Sequence, residues 1–172
     1  SYSFLREKDT DTYQICQHFV KPLEIGLRIK AIREQVASVE VNGKKTVWSF
    51  VEAASGYPEL LVRVPAVEKT KVIIRWKGEV LQTLTGEELE VDAGGQILLR
   101  APQKAELCEI YDPQHILEST KVERKSYHTS IKKGEGHHTF FVRTRQGDMD
   151  WWQPVNVSIR TVPTAVRKDF AD

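Results

Sequence analysis

Reactive and metal-binding side chains are scarce in this chain. There are only 2 cysteines and 1 methionine among 172 residues. Cys16 and Cys108 lie too far apart for a zinc knuckle or a redox CxxC pair. They read as two buried thiols, or as a disulfide between the halves, which would require an oxidising compartment. Charge of one sign is also lacking: 25 Lys and Arg oppose 24 Asp and Glu, for a formal net charge of +1. Such a balance carries no electrostatic footprint for nucleic acid. No apolar run approaches the roughly 20 residues of a membrane helix, so no membrane insertion is expected. Ser1 to Glu7 has no signal-peptide h-region, and the start is expected to be internal to a longer polypeptide. No Walker loop, no Gly-x-Gly-x-x-Gly and no Gly-x-Ser-x-Gly elbow occurs. No convincing amphipathic helix is found either. Ile29 to Val39 holds helix formers but also alternates as a strand does, and Ile116 to Thr120 spans one turn at most.

What is present is a period of two. Ile25, Leu27, Ile29 and Ala31 alternate with polar neighbours, as a half-buried strand requires. Val39 and Val41 follow and stop at Asn42-Gly43, the pair that suits a tight hairpin turn. The chain returns through Trp48 and Phe50 on one face. Leu60, Val62 and Val64 end at Pro65; Val72, Ile74 and Trp76 end at Lys77-Gly78. Tyr13 to Val20 predicts an earlier strand. After the break at Gly94-Gly95, strands are expected at Ile97–Arg100 and Ala105–Tyr111. Lys121–Ile131 predicts an outer strand paired near Leu117, its lysines and glutamates guarding an edge. His138–Val142 and Trp151–Thr161 are joined antiparallel through Gln146-Gly147-Asp148.

Many short strands with frequent turn signals predict an all-β chain built as an antiparallel β-sandwich. Two full seven-strand sandwiches would take about 200 residues. The expectation is therefore two compact immunoglobulin-like sandwiches in tandem, over residues 1–92 and 93–162, with one larger sandwich as the alternative. Residues 163–172 read as a linker or frayed tail.

Period two separates the adjacent tryptophans. Trp151 shares a face with Gln153, Val155, Val157 and Ile159 and is a core candidate. Trp152 shares a face with Pro154, Asn156, Ser158 and Arg160, a large apolar ring among polar neighbours. It is either packed under a loop or an adjoining domain, or presented as a platform for the apolar C–H face of a pyranose. In the second case Arg143, Asn156 and Arg160 would supply hydrogen bonds. His137 and His138 point to opposite strand faces and do not share an ion. Asp148-Met149-Asp150 offers two carboxylates where calcium wants six to eight ligands, so it reads as a hairpin turn. Asp112-Pro113-Gln114 reads as a corner. Cys16 and His18 share a strand face but lack a third group. Glu87-Glu88, Glu106 and Glu109 form no evident acid pair for glycoside hydrolysis. The sequon Asn156-Val157-Ser158 falls within a predicted strand. No metal site, cofactor or catalytic residue is assigned.

Two stretches carry a resemblance. Val39-Glu40-Val41-Asn42-Gly43-Lys44, through Trp48, to Val72-Ile73-Ile74-Arg75-Trp76-Lys77-Gly78 resembles non-catalytic β-sandwich domains that stand beside catalytic domains in large bacterial carbohydrate-active enzymes. Tyr111-Asp112-Pro113-Gln114, Gly136-His137-His138-Thr139-Phe140-Phe141-Val142 and Trp151-Trp152-Gln153-Pro154-Val155 are similar to immunoglobulin-like segments of uncharacterised bacterial proteins from glycan-degradation loci. The likeness spans roughly Ile25 to Arg160 and rests on strand and turn signatures. It implies an accessory module without catalytic residues, in a periplasmic or extracellular polypeptide. The implied partners are a catalytic domain of the same polypeptide and a weakly held polysaccharide. A structural spacer or protein-interaction module without a ligand is the alternative. A small enzyme whose site is assembled from distant residues ranks third.

Overall fold

The computed structural model describes residues 1–84, 88–132 and 134–161. The expected tail and Glu87 lie outside them. The described chain is all-β, without a helix. The strands are β1 (Tyr2–Glu7), β2 (Thr10–Cys16), β3 (Ile25–Lys30), β4 (Arg33–Val41), β5 (Lys44–Lys45), β6 (Trp48–Phe50) and β7 (Glu59–Val64). They continue as β8 (Lys69–Val80), β9 (Leu89–Asp92), β10 (Gln96–Arg100), β11 (Glu106–Tyr111), β12 (Ser126–Ser130), β13 (Gly136–Gln146) and β14 (Met149–Arg160).

They form four sheets. A five-stranded sheet, β1-β2-β8-β4-β5, shares a core with the three-stranded β3-β7-β6. A four-stranded sheet, β11-β13-β14-β9, shares a second core with the two-stranded β10-β12. Alternation decides which side chains meet. Val72, Ile74 and Trp76 of β8 face Leu60, Val62 and Val64 of β7 in the first core, while the residues between them in β7 and β8 stay more exposed. Asn42 and Gly43 both have positive φ (51° and 77°), the backbone of a two-residue hairpin between β4 and β5. Gly147, at φ 56°, does the same job between β13 and β14.

Several elements depart from the sequence expectation. β1 escapes period two because all six of its residues are exposed, so it follows no burial pattern. The strand expected over Tyr13 to Val20 begins at Thr10 and stops at Cys16, where the Gln17 side chain replaces ladder bonds by clasping Leu23 and Val67. β8 runs through Lys77-Gly78 to Val80, because Gly78 takes φ 83° opposite the irregular start of β4. Only Ser126–Ser130 of the outer strand is a strand, although the expected pairing of Leu117 with Ile131 is present as a bridge. Both thiols are free and half-buried, on strands of different sheets.

The two cores are interlocked. β9, placed by sequence with residues 1–92, pairs parallel with β14, and Leu84 packs in the second core. Conversely, the tip of the β13–β14 hairpin sends Met149 and Trp151, both fully buried, into the first core. Between the cores the same hairpin face turns polar, with Thr144, Gln146 and Gln153 buried. Gln146 Oε1 accepts from Gln82 N–H (2.9 Å) and its Nε2 donates to Val80 O (3.0 Å). Gln153 Oε1 accepts from Leu84 N–H (2.8 Å) and its Nε2 donates to Thr144 Oγ1 (2.8 Å). At the waist Val80 O, Gln82 N–H and Leu84 N–H are thus satisfied by glutamine amides, as buried polar groups require.

Candidate functional site

The outer face of β11, β13 and β14, where it meets the first half, brings together two of the sequence-singled residues, Trp152 and Arg143. Extended backbone places Arg143 directly across from Trp152 on the neighbouring strand. Trp152 is half-buried, and its strand is held on the far side by Ala54 and Gly56. Trp152 N–H donates to Ala54 O (2.9 Å), and Gly56 N–H donates to Trp152 O (2.7 Å). The indole lies edge-to-face with Tyr111, centroids 6.3 Å apart, and Tyr111 in turn lies 6.2 Å from Phe141.

Arg143 is held in place by acids. Its Nε donates to Asp150 Oδ1 (2.7 Å) and its Nη1 to Glu109 Oε2 (3.4 Å). Arg145 adds a bond to the other Asp150 oxygen (3.1 Å). The hydrogen bond to Asp150, followed by the charge of that carboxylate, raises the Arg143 pKa above its ordinary value. Beside this network opens a cleft of about 530 Å³, lined by Ser49, Phe50 and Glu52 from the first half and Arg143, Asp150 and Trp152 from the second. Phe50 is partly exposed and stands edge-on to Trp48, centroids 4.9 Å apart.

No family model, curated protein or solved structure matches this chain. The cleft has to be read from its own chemistry. It offers one aromatic wall, a second ring on the opposite half, and a fixed guanidinium with carboxylates around it. That is a surface on which a ring with an apolar face and polar edges can lie.

The structure brings Trp152 and Arg143 together and leaves the other two expected residues outside. Asn156 is on the same face, but four residues along a strand is about 13 Å. Its Oδ1 accepts from Thr139 Oγ1 (2.8 Å). Arg160 is about 27 Å along the strand, where it pairs with Glu90 (3.2 Å) and Asp92 (3.5 Å). Sequence reading missed Phe50, Glu52 and Tyr111. Trp48 and Phe50 on one face marked an apolar pair, but nothing local said which element that pair would meet.

The remaining candidates resolve into structure. His137 bonds Glu88 (2.7 Å) and His138 bonds Glu135 O (3.0 Å). Asp112 Oδ2 accepts from Leu117 N–H (2.8 Å), the corner expected there. Met149 is core, so Asp148 and Asp150 flank a hairpin tip. Cys16 ends β2 while His18 lies beyond it, so the two share no strand face. Burial raises the Cys108 pKa, which disfavours its thiolate. Among the described residues no cluster of three His, Cys, Asp or Glu could hold a metal ion.

Proposed function

We propose that the chain is a non-catalytic accessory module of a bacterial glycan-processing protein, acting in the periplasm or outside the cell. In this reading each pair of sheets is a small sandwich of immunoglobulin-like type. The module packs against a catalytic domain of the same polypeptide and holds polysaccharide weakly in the junction cleft. The observation that carries it is the half-buried Trp152, flanked by Tyr111 and lining a cleft of about 530 Å³ that both halves build. The indole face stacks on the C–H face of a pyranose, and Arg143 and Glu52 meet its hydroxyls.

Adsorption to a panel of insoluble polysaccharides tests this. Trp152→Ala is expected to weaken binding about tenfold, or ~1.4 kcal/mol. The thermal midpoint should fall by only a few degrees, since the ring is half outside the core. If no polysaccharide retains the wild-type chain, or if Trp152→Ala binds as well as wild type, the reading is wrong.

A second reading is a spacer without a ligand. The glutamine-clasped waist favours it, because Gln146 and Gln153 fix the connection between the halves. Silence on glycans together with a stable protein partner in pull-down would support it.

A further inference from the structure

The end of the first half farthest from the junction has a character of its own. β2, β4 and β7 finish there and β3 and β8 begin there, so the segments 17–24, 42–47 and 65–68 lie side by side. They are tied together. Gln17, buried, donates from Nε2 to Leu23 O (2.8 Å) and Val67 O (3.3 Å), and accepts from Leu23 N–H at Oε1 (2.9 Å). Gln17 N–H also donates to Glu68 O (2.8 Å). Asn42 and Lys71 exchange two bonds of 2.8 Å.

This scaffold holds apolar side chains in water instead of hiding them. Val20 is fully exposed, Val47 is 88% exposed and Phe19 62%. Tyr2 and Phe19 line one shallow depression, and Val67 is exposed beside the Gln17 clasp. Around these tips stand Lys21, Lys44, Lys45, Lys69 and Lys71, all exposed, and none is ion-paired among the described residues. Of the nearby acids, Glu24 is engaged by Arg63 (3.1 Å) and Glu40, opposite Lys45, by Arg75, which leaves Glu68. At this end five lysines stand against Glu68, in a chain whose net charge is only +1.

We propose that this end docks on an anionic lipid surface. Phe19, Val20 and Val47 enter the headgroup–acyl boundary, Tyr2 sits at the interface, and the lysine ring meets the lipid phosphates. Apolar tips within a basic collar are what such a surface attracts, since buried apolar area and headgroup charge add. A single-stranded nucleic acid could stack only on Phe19 and Tyr2 and would leave Val20 and Val47 in water, so it covers this end less completely than a lipid surface does. This mode involves no spanning: no helix among the described residues is long and apolar enough to cross a membrane.

Flotation with phosphatidylcholine vesicles, with and without phosphatidylglycerol, tests the proposal. The wild-type chain is expected to float with the anionic vesicles only. Lys44→Ala/Lys45→Ala should weaken binding about twenty-fivefold, at about fivefold per lysine. Phe19→Ser/Val20→Ser should lower it further in high salt, where the apolar part remains. These positions are exposed, so an unchanged thermal midpoint identifies folded variants. Lys104→Ala/Lys121→Ala, in the other half, should bind as wild type, and so should Trp152→Ala. Three results would overturn the proposal: no flotation with anionic vesicles, an equal loss in the Lys104/Lys121 variant, or full binding by Phe19→Ser/Val20→Ser.

Discussion

Asp11 shows how one buried charge is held. It has no exposed surface, yet its oxygens accept from Arg6 Nε (2.6 Å), Arg6 Nη2 (2.8 Å) and Trp76 Nε1 (3.0 Å). Asp11→Ala strands the indole N–H of Trp76 inside the first core. Because Arg6 stays partly in water, the expected loss is about 2 kcal/mol rather than the larger cost of breaking a fully buried pair. Urea unfolding measures it. Tyr13 faces the same carboxylate. Burial first, and the Asp11 charge second, push its pKa up to about 12. The unfolded chain loses that proton nearer pH 10, so this contribution is whole below about pH 10 and disappears toward pH 12. Tyrosinate absorbance should show Tyr13 titrating late, and Tyr13→Phe should remove that step.

Two hairpin glycines make a controlled comparison. Gly43 and Gly147 both have positive φ, but a Cβ on Gly43 meets nothing while one on Gly147 comes within 2.7 Å of Glu34 O. The backbone there is already engaged, with Asp148 N–H donating to Glu34 O (2.9 Å). Gly43→Ala is therefore expected to cost about 1 kcal/mol, the left-handed penalty alone. Gly147→Ala should cost at least about 2 kcal/mol, since the hairpin tip must also withdraw. Equal midpoints for the two variants in denaturant would remove the tip contact from the account. Glu59–Val64 and the part of β8 up to Trp76 were legible beforehand because inward and outward side chains alternate there, while the all-exposed end of β8, from Lys77 to Val80, was not. β1 was not, because a fully exposed edge strand leaves no burial pattern to read.

Trp151 couples the halves. It is the largest fully buried side chain, it belongs to a strand of the second half, and it fills the first core. Trp151→Ala should cost about 3–5 kcal/mol. The lost protection should appear where the ring was seated: amide exchange should accelerate in β4, β7 and β8 rather than only in β9–β14. The Trp152 cleft depends on the same docking. Phe50 and Glu52 come from one half and Trp152 and Arg143 from the other, so a variant that undocks the hairpin dismantles the cleft as well.

The amino-acid sequence alone determined that this chain is all-β, where most of its turns fall, and that Trp151 points inward while Trp152 points outward. Each follows from side chains alternating sides along a single strand. Which core receives Trp151, which ring faces Trp152, and that Phe50 and Glu52 meet Trp152 across the junction were decided only by tertiary structure. Those facts depend on how far a hairpin reaches past its own sheet, and periodicity within one strand carries no measure of that distance.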